Sequence, residues 1–325
     1  MARQILLLIE KSAHCLSYYD TGSGTRLHSV PLPDYPHEFT LDDRRAMAWI
    51  GHYGVANSGS ADRGGHEVLA LDIAGGRITG RLSLGKGLNR PHGVGMDGRG
   101  RLYALSEGAG RIAVWDDPGR GGAPDRTVPV GGEKPHLFAV TADGRRCYST
   151  NLGSNDVTVF DPRDPGVTPV SIRTGDKPEG RLLRADEKML FVTNRISETV
   201  VAIDTATFEI LARESVSGDP VRIFHDPGRG RLMTIDYLGK TISLLDDRSL
   251  KISRRVALDS RPISMSFDHG MRRAFVSMDS DEIHVLDLDA LTVTQRFATF
   301  REPDVSVIVT LDEQAEAVAG GSPAA

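Results

Sequence analysis

Seven prolines, Pro36, Pro91, Pro135, Pro178, Pro220, Pro262 and Pro303, open seven similar segments of this chain, spaced 55, 44, 43, 42, 42 and 41 residues apart. The third segment shows the unit most clearly. An apolar run from Pro135 to Val140 meets a turn at Asp143-Gly144. A second strand then ends in Tyr148-Ser149-Thr150-Asn151, and a third closes on Phe160-Asp161. Asp-Gly between two strand patterns is hairpin chemistry, because glycine accepts the positive φ that a tight turn needs. A regular period of this length, with several short strands in each unit, predicts a radially repeated β architecture rather than a helical solenoid.

The second strands align as Trp49–His52, Tyr103–Ser106, Tyr148–Asn151, Phe191–Asn194, Met233–Asp236 and Phe275–Met278. The third strands end on Asp72, Asp116, Asp161, Asp204, Asp246 and Asp287. These residues, Phe191-Val192-Thr193-Asn194 above all, resemble the YVTN-type repeat of seven-bladed propellers, a group that includes lactonase-like propellers. The resemblance covers almost the whole chain. It implies an all-β, seven-bladed β-propeller with four-stranded blades, and it leaves function to the site carried on that scaffold.

The chain ends predict how the ring closes. After Pro303 there is room for one strand, Asp304–Leu311, while Gln4–Glu10, Cys15–Asp20 and Thr25–Pro31 supply three more. The C-terminal strand is therefore expected to join the N-terminal strands in a seventh blade, which removes the free sheet edges. Residues 1–313 are expected to form one propeller domain, followed by a flexible tail, 314–325.

A net charge of −5, with both signs spread along 325 residues, points away from a nucleic-acid or membrane surface. The apolar run in residues 1–10 is too short for a signal sequence and has no cleavage site after it. The two cysteines, Cys15 and Cys147, fall in different blades, so reduced thiols and a cytoplasmic location are expected. A monomer or small homo-oligomer is expected.

In such a repeat three positions per blade gather at one channel mouth: the residues before and after the opening proline, and the end of strand two. The residues after the prolines are His37, His92, His136, Glu179, Val221, Ile263 and Asp304. Of ten histidines, three hold this place in consecutive blades, with a glutamate next. Neutral imidazoles and one carboxylate suit a divalent first-row metal ion (Fe, Mn, Zn, Ni or Cu), so His37, His92, His136 and Glu179 are the expected ligands. A solvated channel would accept the same polar residues without any metal.

At the end of strand two, His52 is a candidate ligand, metal-supporting residue or general base, and Glu10 is a candidate base. Arg90, Lys134 and Lys177 precede their prolines and Arg222 follows Pro220 by two, predicting a cationic rim that orients a small anionic substrate. An insertion, residues 53–66, begins on the mouth face and has the glycine and serine content of a lid. A second, residues 117–125, falls on the opposite face.

The expected function is a metal-dependent enzyme using Lewis-acid or water activation for lactone or ester hydrolysis, elimination or isomerisation. Two other readings fit the same residues: an Fe- or Cu-dependent oxidase or oxygenase, and a non-catalytic propeller that binds a ligand or protein.

Overall fold

The computed structural model describes residues 2–312, with side chains for 3–311. The expected tail, 314–325, lies outside the described residues. Seven four-stranded antiparallel sheets form the blades of a propeller. Each innermost strand starts at one of the seven prolines: Pro36–Asp42, Pro91–Met96, Pro135–Val140, Pro178–Leu183, Pro220–Asp226, Pro262–Phe267 and Pro303–Asp312. The fixed φ and missing N–H of proline suit the first residue of a strand. Neighbouring innermost strands touch all the way round, so the ring is closed.

The closing blade is built as expected. The strand Pro303–Asp312 pairs antiparallel with Ala2–Glu10, matching Ile5 with Val309, Leu6 with Ile308 and Leu7 with Val307. The two further strands are Cys15–Asp20 and Arg26–Pro31. His14 lies in a turn with φ 56° after a short 3-10 helix, Lys11–Ala13.

Alternation of apolar residues along the strands places one apolar layer between each pair of blades. Tyr103, Leu105, Ile112, Val114 and Val128 of blade two pack on Phe138, Cys147 and Phe160 of blade three. Each such fully buried large side chain contributes about 1.5–3 kcal/mol relative to exposure. The Asp143-Gly144 turn is demanding: Gly144 has φ 64°, and a Cβ there would sit 2.0 Å from Arg101 Nη2. Both cysteines are free and buried. Among the described residues, no helix is long and apolar enough to cross a membrane.

Two backbone devices shape the mouth. Six of the seven residues before the prolines, Tyr35, Arg90, Lys134, Lys177, Asp219 and Glu302, have positive φ. Their carbonyls accept hydrogen bonds from N–H groups just beyond strand two, as Glu107 N–H to Arg90 and Arg195 N–H to Lys177. In every blade the ladder also slips at the opening proline, as between Pro135 and Leu137. A bulge of this kind re-aims a side chain. Here it falls at the residue after the proline, in the same place in all seven blades.

Candidate functional site

Six of the seven residues that follow the prolines line one cavity of about 280 Å³ at the channel mouth: His37, His136, Glu179, Val221, Ile263 and Asp304. The seventh, His92, is buried between its two histidine neighbours. The rings stack in blade order, with centroids 4.2 Å apart for His37 and His92 and 3.6 Å for His92 and His136. Tyr53 stands edge-on to both His37 and His92. Burial holds the His37 and His92 imidazoles well below the usual histidine range. Lys11 adds to this at His37, and His136 and His37 add to it at His92. Both rings are therefore neutral at pH 7, and each has a buried Nδ1 without a hydrogen-bond partner.

His136 differs because Glu107 reaches it. Its Nδ1–H donates to Glu107 Oε2 at 3.0 Å, and the Tyr53 hydroxyl donates to Glu107 Oε1 at 2.8 Å. In the neutral ring a carboxylate acceptor at Nδ1 fixes the tautomer, with the lone pair on Nε2. That nitrogen lies 3.9 Å from Glu179 Oε1 at the cavity wall. Glu179 accepts from Arg195 Nη1 at 2.9 Å, and Arg195 also forks onto Asp219 at 2.6 Å. Burial raises the Glu179 carboxyl, but His136, Arg195 and Arg222 outweigh it and hold it below the usual range. Across the cavity Arg222 donates to Glu38 at 2.6 Å and lies 3.9 Å from Asp304. Lys11 pairs with Glu302 and lies 4.0 Å from Asp304.

The four expected metal ligands are thus brought to one arc. In this conformation, however, no group of three His, Cys, Asp or Glu side chains among the described residues is disposed to hold a metal ion. The other expected site residues are dispersed. His52 sits beneath the insertion, its Nδ1 3.6 Å from Glu67, and burial lowers its pKa. Glu10 is fully buried in blade seven and accepts from Tyr19, Ser17, Cys15 and the Phe300 N–H. Arg90 binds the insertion, donating to the Ser60 and Asp62 carbonyls at 2.6 and 2.5 Å, and approaches Glu107 at 3.4 Å. Lys134 and Lys177 line no part of the mouth cavity. Of the expected cationic group only Arg222 faces it, and Arg222 is already paired.

Sequence reasoning did not assign Glu107, Arg195, Lys11 or Tyr53. All four follow the last residue of strand two, so one further step along the repeat would have gathered them.

No family model matches the chain, and no curated protein matches it in sequence. Solved structures do share its fold. A candidate 6-phosphogluconolactonase from Bacteroides uniformis aligns over 94% of this chain and 100% of its own, at 14% identity and TM-score 0.74. The periplasmic gluconolactonase of Pseudomonas aeruginosa aligns over 94% and 99%, also at 14% and 0.74. The hydrazine synthase of Kuenenia stuttgartiensis aligns over 87% and 91%, at 17% and 0.70. The chain therefore has the seven-bladed propeller fold of lactonase-like proteins. That fold also occurs in a protein of quite different chemistry.

Proposed function

We propose that the channel mouth is a hydrolytic site for a small lactone or ester bearing an anionic group. The observation that carries this reading is the Glu107–His136 pair, a base held by an orienting carboxylate with its free nitrogen turned to the cavity. His136 Nε2 takes a proton from water as the water oxygen bonds to the substrate carbonyl carbon. The ring C–O bond then breaks, and the leaving alkoxide receives that proton. The description of two fold relatives as lactonases supports the substrate class. Two unpaired thiols support the cytoplasm as the compartment.

A metal-assisted version is favoured by one observation, the two neutral imidazoles with unpartnered Nδ1 atoms. His37, His92, His136 and Glu179 would hold a divalent first-row ion once the stack opens and Glu179 leaves Arg195. Bound there, the ion would supply Lewis-acid polarisation or water activation.

Hydrolysis of gluconolactone and 6-phosphogluconolactone, followed by pH-stat with and without chelator, tests both versions. His136→Gln is expected to lower kcat by about 10²-fold or more, since general-base catalysis contributes on that order. Full activity in His136→Gln would remove the proposed base. Elemental analysis of protein purified without chelator decides the metal, and EPR of the loaded protein separates hydrolytic from redox use. A wild type inert toward all lactones leaves a binding propeller.

A further inference from the structure

One layer below the mouth, a second cavity of about 190 Å³ lies on the channel axis, walled by innermost strands of blades one, four, five, six and seven. Its charged residues are Arg181, Arg222 and Glu38. Arg222 lines both this cavity and the mouth cavity. The mouth sets Lys11, Arg195 and Arg222 beside Glu179, Glu302 and Asp304. At the waist Glu38 is bound to Arg222, which leaves Arg181 without a direct carboxylate contact.

Arg181 is the unsatisfied member. Its Nε donates to the Phe138 carbonyl at 2.7 Å. Among the described residues neither terminal nitrogen has a hydrogen-bond or ion-pair partner, and neither is sealed from the cavity. A Cβ on Gly180 would lie 2.8 Å from Arg222 Cα, so glycine there admits the close approach of blades four and five. The Ser264 and Ser306 side chains line the same space, and the Ser306 hydroxyl is linked to that of Ser266. A guanidinium whose terminal nitrogens have no protein partner matches an oxyanion.

We propose that the channel waist is an oxyanion site, in which Arg181 and Arg222, with the Ser264 and Ser306 hydroxyls, take a carboxylate or phosphate group. The anion is either a resident inorganic ion or the anionic end of a substrate whose reacting carbonyl lies at the mouth. Only the second source rests on the hydrolase reading.

Isothermal titration with inorganic phosphate and with gluconate, at fixed ionic strength, tests the site directly. Saturable one-site binding is expected for wild type, weakened about tenfold or more in Arg181→Met, because a charge-assisted contact is worth at least that. Arg181→Lys should recover part of it. Arg254→Met, on the exposed outer strand of blade five, should bind as wild type does. If Arg181→Met raises KM for 6-phosphogluconolactone, the substrate supplies the anion; if phosphate binding falls while KM holds, the anion is resident. Phosphate binding without any lactone turnover defeats the hydrolase reading and leaves this site standing. Absence of saturable binding of both anions, or equal binding by Arg181→Met, overturns it. Should Arg181→Met not fold, wild-type crystals soaked in selenate answer the same question, and no anomalous peak against Arg181 overturns the site.

Discussion

The residues after the opening prolines occupy one structural position seven times, yet the two sides of the channel use it differently. In blades one to three it holds imidazoles, which stack on one another; the Nδ1 atoms of His37 and His92 make no hydrogen bond, although Asp304 Oδ2 stands 3.4 Å from that of His37. In blades four and seven it holds Glu179 and Asp304, which sit beside Arg195, Arg222 and Lys11. A buried neutral imidazole costs little desolvation, whereas a buried carboxylate requires cations around it. The scaffold thus fixes where a side chain points, and the chemistry of that side chain dictates how much machinery its neighbours must supply. The imidazole arc leaves the Nδ1 atoms of His37 and His92 without hydrogen bonds, while in the ion-pair arc Glu179 is bound to Arg195 and Asp304 keeps one buried oxygen without a hydrogen bond.

Deleting residues 302–325 is the most severe way to break this contrast. It removes Glu302 and Asp304 together with the strand that closes the ring. Ile5, Leu6, Leu7 and Leu8, all fully buried, would lose one side of their packing. At about 1.5–3 kcal/mol for each, the loss approaches the entire stability of a typical domain. Loss of cooperative thermal unfolding by circular dichroism is expected. The double variant Glu302→Gln/Asp304→Asn keeps the strand and should unfold cooperatively, which separates closure from ion pairing. A truncated protein melting like wild type would refute the closure.

Acid should dismantle the two arcs in order. His37 and His92 have folded pKa values below their ordinary 6.5. Below about pH 6.5 the unfolded chain binds protons that the folded one does not, so stability falls as pH drops through that value. Glu179 is held below its ordinary 4.5, so its favourable contribution persists until pH falls under about 4.5. Melting temperatures recorded with chelator from pH 8 to 3.5 should show two declines. His37→Asn/His92→Gln should lose the upper decline, and Glu179→Gln should lessen the lower, to which Asp20, Asp186, Asp268 and other carboxyls held below their ordinary range also contribute. A single decline near pH 4 in wild type would contradict neutral buried imidazoles.

The proline register and the Asp-Gly turn were enough to place all seven innermost strands, because sterics and hydrogen bonding act locally there. The same register brought His37, His92 and His136 together. Partners were less legible. Arg90 was expected to meet substrate and instead ties down residues 60–62, since its positive-φ backbone and the insertion were not readable together. Glu10 was expected as a candidate base at the end of strand two, but hydroxyl and thiol groups of its own blade enclose it. The bulge that turns each residue after the proline toward the axis leaves no mark in side-chain pattern. Pairing between distant blades, as Arg222 with Glu38, depends on ring geometry that no local pattern encodes.

The smallest effect concerns another repeated position, the end of strand two. Asn151 and Asn194 fill it in blades three and four, while Asp236 fills it in blade five, fully buried. The Asn151 amide donates to Thr158 and Asp156 and accepts from Ser149. Asp236 accepts from Thr234, Thr241 and Ser243 instead. Burial raises its pKa from 3.8 to about 6, although those hydroxyls oppose the shift. A carboxyl raised in the folded state favours folding below about pH 3.8, and that contribution is lost as pH rises through about 6. At pH 7.5 the buried charge is therefore a burden of up to about 3 kcal/mol. In Asp236→Asn the amide can donate to the Thr241 and Ser243 hydroxyls and accept from Thr234, as its counterpart does in blade three. A higher melting temperature than wild type is expected at pH 7.5, with the advantage fading below pH 4. A variant less stable than wild type at pH 7.5 would mean that the three hydroxyls need a carboxylate, and that blades three and five are not interchangeable here.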